Sequence, residues 1–210
     1  MSIGIAVAIG MVRWKQIDPS YHPFIYNLSL SLLVEILNAL HPYSVLTVET
    51  LNIFSIFDFL LFTWMFHNWG LFNYKKNRFY TVFALGVVTW TIVTFGITGF
   101  RNINNPFLIL YSFALIAFSV TSFNKIVVQQ RINIFRNAGF FICIGIMIFY
   151  SFFILTRATD LSFGPLSMSK SFKLSLQKIV VYTNLLANLL YAVAVIWVPR
   201  KKNITTLSLK

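Results

Sequence analysis

Continuous apolar blocks of near-spanning length recur along the chain, at 24–41, 45–66, 79–99, 106–123, 138–156 and 178–198. A helix needs about 20 mostly apolar residues to cross a hydrocarbon core. The blocks lack the apolar–polar alternation of a lipid-facing barrel strand, so helices are expected. A further stretch at 1–14 opens MSIGIAVAIGMV before Arg13 and supplies only about 18 Å of helix. It lacks the basic start and cleavage site of a secretory signal peptide and reads as a short, uncleaved first helix. Composition closes the argument. Of the 210 residues 58% are hydrophobic and 10% charged, and mean hydropathy is +0.75. Soluble domains carry about 25% charged residues, so this chain has too little polar surface for a water-soluble globule. The expected fold is all-α: one polytopic transmembrane bundle over 1–210, with seven helices, the first one short, and no soluble domain.

Lys and Arg set the expected orientation. Arg13, Lys15, Lys75, Lys76, Arg78, Lys125, Arg131, Arg136, Arg200, Lys201, Lys202 and Lys210 follow the odd-numbered spans. Only Arg101, Arg157, Lys170, Lys173 and Lys178 fall on the other side. The richer side faces the cytoplasm by the positive-inside rule, which puts the carboxy-terminus inside. The net charge of +12 also suits a nucleic-acid binder. Here, however, the basic residues sit at helix ends, where they meet anionic headgroups. No loop joins a Lys/Arg cluster to stacking aromatics. The lipid bilayer is the expected partner, with no direct nucleic acid.

Motifs for chemistry are sparse. Cys143 stands alone in an apolar run, which excludes an intrachain disulfide and a cysteine metal cluster. There is no HExxH, GxSxG or phosphate-cradling glycine loop. His22 and His67 fall near one boundary and His41 near the other, too far apart to share a metal. The seventh block, NLLANLLYA, has no lysine for a retinal Schiff base. No catalytic residue, metal site or cofactor is expected.

Intramembrane polar residues remain. A charge at the bilayer centre costs about 2.5–3.5 kcal/mol on insertion scales, so such residues are functional candidates. Asn27, Ser31, Glu35 and Asn38 form one stripe on the second helix at about 100° per residue. Glu49, Asn52, Ser55 and Asp58 recur every three residues on the third, a row that slants by about 60° per step and puts the two acids on opposite flanks. Gln177, Asn184, Asn188 and Tyr191 share a face of the seventh, and Thr91, Thr94 and Thr98 lie on the fourth. Counting about 1.5 Å per residue puts Glu35, Asn52 and Asn184 at similar depth, with Glu49 just above and Asp58 deeper near Asn188. A pocket opening outward between helices two, three and seven follows, with Glu35, Asn38, Glu49, Asn52, Asp58, Asn184 and Asn188 as candidate ligand or ion residues. Asn, Ser and Thr also hold transmembrane helices together, so the stripe on helix seven reads as glue or as pocket. No Lys or Arg lies inside any span to neutralise Glu35 and Asp58. They are therefore protonated, face a wet cavity or bind a cation. Arg131 and Arg136, in the loop NKIVVQQRINIFRN, are candidates for contact with a protein partner or with lipid.

Four stretches carry a resemblance: PFIYNLSLSLLVEIL, IFSIFDFLLFTWMF, FRNAGFFICIGIMIFYSFFIL and NLLANLLYAVAVIW. They resemble a broad group of small seven-span bacterial membrane proteins of the stand-alone sensory type, often found with histidine kinases. In that group helix three more often carries a glutamate where Asp58 stands. The resemblance implies a multi-pass protein of the bacterial cytoplasmic (inner) membrane, an accessory or regulatory component in signal transduction, and a cytoplasmic or membrane protein partner. Three classes of function are compatible with the residues. A sensor would bind a small ligand or proton in the polar pocket, a transporter or channel would relay protons or cations through Glu35 and Asp58, and an intramembrane lipid-modifying enzyme would use the same acids. The last has no nucleophile or metal motif behind it.

Overall fold

Helices apolar on most sides associate where small and polar residues let them approach, and that sorting is visible throughout this chain. The computed structural model describes residues 2–40, 45–72, 76–129, 134–160 and 170–200. Among the described residues there are seven α-helices: α1 (Ile3–Val12), α2 (His22–Leu40), α3 (Val45–Asn68), α4 (Lys76–Thr91), α5 (Asn105–Gln129), α6 (Ala138–Asp160) and α7 (Lys170–Trp197). No strand occurs among them beyond an isolated bridge between Ile17 and Arg200. Six helices are long and apolar enough to cross a membrane, and α1 is not. At 1.5 Å per residue it is about 15 Å long, half a hydrocarbon core.

The packing forms a closed ring. α1 lies against α2 and α7, α2 against α3, α3 against α5, α5 against α6, and α6 against α7. α4 packs mainly on the outside of α3, and only 11% of its apolar window is buried, the lowest share of the six. Aromatic side chains fill the interior of the ring. Phe24 meets Tyr191 edge-on at 5.3 Å between centroids, and Phe62 and Tyr111 both pack edge-on against Tyr150, at 6.4 and 5.7 Å. The α6–α7 seam closes tightly at Gly145, where an added Cβ would stand 2.5 Å from Cε1 of Tyr191.

Two segments differ from the sequence reading. α7 begins at Lys170, eight residues ahead of the apolar block that starts at 178, because KSFKLSLQ contains no Gly or Pro to stop a helix. α4 runs into a π-helical turn over Ile92–Thr98, in which Thr98 Oγ1 donates to the Val93 carbonyl five residues back. Gly99 then takes a φ of 78°, a region open to glycine at little cost, and turns the chain toward α5.

The chain ends of the ring are tied together. Arg13, just past α1, donates from Nη1 to the Val195 and Ile196 carbonyls at 2.5 and 2.6 Å, and from Nη2 to Val198 at 3.2 Å. Those are C-terminal carbonyls of α7 and the residue beyond it, which lack partners within the helix and carry its negative dipole end. Close approach of α1 depends on Gly10, whose missing side chain leaves room for Ile25 and Val195.

Candidate functional site

Asp58 is 2% exposed and projects from α3 into the ring. Its Oδ1 accepts from Asn27 Nδ2 of α2 at 2.6 Å, and its Oδ2 accepts from the Tyr150 hydroxyl of α6. Tyr111 of α5 packs against Tyr150 and adjoins the same carboxyl. Four helices thus converge on one carboxyl group, and none of these partners carries a positive charge. A buried carboxylate in such a setting is costly unless protonated or joined by a cation.

A cavity of about 280 Å³ opens above this group. Asp58, Tyr111, Tyr150 and Tyr191 line its deep part, and Glu35, Asn38 and Asn184 line it farther along α2 and α7. Ile3, at the start of α1, and Asn188 also line it. α1 packs against both α2 and α7, and its first residue, Ile3, borders the cavity. Asn188 ties the two levels together: its Nδ2 donates to Ser2 Oγ at 2.9 Å and to Asn184 Oδ1 at 3.4 Å.

Five of the seven pocket candidates read from the sequence meet in this cavity: Glu35, Asn38, Asp58, Asn184 and Asn188. Asn52 does not line it. Six residues of helix rotate Asn52 about 120° from Asp58, and it is fully buried on another side of α3. Its Nδ2 donates to the Phe100 and Asn102 carbonyls at 3.0 and 2.9 Å, and its Oδ1 accepts from Asn104 N at 3.1 Å. Its backbone carbonyl accepts from Trp90 Nε1. Asn104 in turn donates to Thr94 Oγ1 at 2.5 Å. Asn52 is thus the clamp that holds the α4–α5 turn. Glu49 is also absent from the lining, because nine residues place it about 180° from Asp58.

The tyrosines are what sequence reasoning missed. Tyr111 and Tyr150 sit in apolar runs with no polar neighbour in helical register, so each reads as an ordinary core aromatic. Asn27 belonged to the stripe on helix two, and its register with Asp58 is set by the antiparallel pairing of α2 and α3. Arg157, read as a loop residue, extends α6 instead. Its guanidinium lies 4.9 Å from the centroid of Phe153, which lines the cavity, and 3.8 Å from Asp160.

The remaining candidates sit apart from the cavity. His22 stacks on Trp14 at 4.3 Å and His67 on Phe79 at 4.1 Å, while His41 lies outside the described residues. Cys143 is fully buried in the aliphatic core. Among the described residues no three His, Cys, Asp or Glu side chains gather to hold a metal. Arg136 is exposed, with its guanidinium 5.8 Å from the Trp197 ring; Arg131 lies outside the described residues. The chain matches no protein-family model, no curated protein and no solved structure, so the reading of the site rests on its own geometry.

Proposed function

We propose that the chain is a multi-pass protein of the bacterial cytoplasmic membrane, with its carboxy-terminus inside, that binds a proton or small ligand in the Asp58 cavity and acts through a partner protein. The observation that carries this reading is the Asp58 carboxyl, buried beside a cavity that Glu35, Asn38 and Asn184 also line, and held by neutral donors from α2 and α6. A change of charge there changes what Asn27 and Tyr150 can donate to, so loading the site biases the relative positions of α2, α3 and α6. Such a shift is available to a partner through exposed basic groups such as Arg136, in the manner of a sensor or accessory subunit.

A second reading draws on the two carboxyl groups, Glu35 and Asp58, lining one cavity. In that reading they pass a proton or cation inward, and the chain is a transporter or channel. Infrared difference spectroscopy on the reconstituted protein, switched between mildly alkaline and mildly acidic buffer, tests the site itself. The expected spectrum holds a carboxyl band that Asp58→Asn removes, coupled to a tyrosine band that Tyr150→Phe removes. Identical difference spectra for wild type and Asp58→Asn would refute both readings. Proton flux into vesicles separates them, since only the transporter gives a flux that Glu35→Gln abolishes.

A further inference from the structure

The cavity beside Asp58 is walled by aromatic rings as well as by polar groups, and the wall follows from helical register. On α3, Phe54, Asp58 and Phe62 stand one turn apart on one face, and all three line the cavity. The carboxyl is therefore placed between two rings of its own helix. Tyr111 of α5, Tyr150 and Phe153 of α6 and Tyr191 of α7 border the same space. Tyr150 ties this wall together, with Phe62, Tyr111 and Phe153 edge-on against it at 6.4, 5.7 and 6.2 Å between centroids.

The charge around the cavity is of one sign. Glu35 and Asp58 both line it, and among the described residues no Lys, Arg or His does. A carboxylate can accept about four hydrogen bonds, and Asn27, Tyr150 and Tyr111 account for at most three at Asp58. Just outside the lining, Arg157 lies over the Phe153 ring at 4.9 Å and is paired with Asp160 at 3.8 Å. One ring of this wall thus already holds a cation on its face. A hard divalent ion fits poorly, since it needs about six or more oxygen ligands. Among the described residues no three His, Cys, Asp or Glu side chains gather. An organic ammonium is satisfied by a carboxylate and ring faces.

We infer that the ligand of this cavity is a small organic cation, an ammonium on a short apolar body, with Asp58 as its counter-ion and the surrounding rings as its walls. This inference rests on the reading of the Asp58 cavity as a ligand site and names the class of ligand. Size sets a further limit. About 280 Å³ is the volume of roughly nine waters at ~30 Å³ each, room for an amine of about that many non-hydrogen atoms.

The test is equilibrium dialysis of the full chain in detergent micelles, with protein-free micelles subtracted for partitioning. The probe is phenethylammonium, compared with two analogues of nearly the same shape, the neutral phenethyl alcohol and the anion phenylacetate. Saturable uptake of the ammonium is expected, at least tenfold weaker for the alcohol and absent for phenylacetate. Asp58→Asn should weaken the ammonium at least tenfold and Phe62→Leu several-fold, while the comparison of the three probes on the wild-type chain requires no variant to fold. Alcohol bound as tightly as the ammonium, or equal uptake by wild type and Asp58→Asn, would overturn the assignment. If no ammonium binds while the infrared carboxyl band of Asp58 is present, the ligand class is wrong and the proton reading stands. If both are missing, the site itself is wrong.

Discussion

Gly145→Ala probes the tightest contact between α6 and α7. The added methyl would stand 2.5 Å from Tyr191 Cε1, 3.1 Å from Cδ1 and 3.2 Å from Cζ. Ordinary carbon contacts lie near 3.5–4.0 Å, so the nearest ring atom must move by about 1 Å. Tyr191 has little room, being buried and packed edge-on against Phe24. Overpacking of this kind costs about 1–3 kcal/mol, partly offset because alanine favours the helix by up to about 1 kcal/mol over glycine. A net loss of about 1–2 kcal/mol corresponds to roughly 2–8 °C in a chain of this size. Thermal unfolding in detergent measures it. The partner variant Tyr191→Leu removes the ring, so the double variant should be less destabilised than the sum of the singles by about 1 kcal/mol or more. Additive losses would mean that Gly145 and Tyr191 do not touch, and the α6–α7 seam would have to be redrawn.

Three further outcomes follow from the same geometry. Asn52→Ala removes three side-chain hydrogen bonds at the α4–α5 turn and should cost about 2–4 kcal/mol, while the infrared carboxyl band of Asp58 persists. At Asp58 itself, Asn should be tolerated within about 1 kcal/mol, since a flipped Asn27 amide can accept from the new side chain. Leu strands Asn27 and Tyr150 and should cost about 2–5 kcal/mol in the same thermal assay. Arg13→Met removes the cap on α7 and should speed amide hydrogen exchange near the carboxy-terminal end of α7, with about 1.5–3 kcal/mol lost overall.

Helix positions were legible in the chain because span length and apolarity are properties of contiguous residues. The start of α7 was less so: KSFKLSLQ is polar enough to pass for linker, and only its lack of helix breakers argues otherwise. Register between helices is not a local property. The three-residue row on α3 grouped Glu49, Asn52 and Asp58, yet helical rotation sends them to three different directions, one of them a turn that forms only after α4 and α5 meet. Asn27 and Asp58 each stood out as polar in an apolar run, but their pairing depends on how α2 and α3 dock against each other. Tyr111 and Tyr150 gave no sign, since a phenol in a run of Phe and Ile has the signature of packing whether or not its hydroxyl is used.

The half-length of α1 divides the ring into two mechanical regimes. On one side of Ile3, α2 and α7 are spaced by a third helix and α7 is pinned through Arg13. On the other side, Glu35, Asn38 and Asn184 border open volume. That is the layout of a clothes peg, sprung at one end and open at the other. From Val195 to Asn184 the lever arm is about 16 Å at 1.5 Å per residue, so a 5° tilt of α7 about its pinned end displaces Asn184 by only about 1.4 Å. The same tilt moves the Asn188 end of the α1 contact by about 0.9 Å and its Arg13 end hardly at all. A small tilt of α7 is thus geared to appear at the jaws and to be nearly silent at the pinned end.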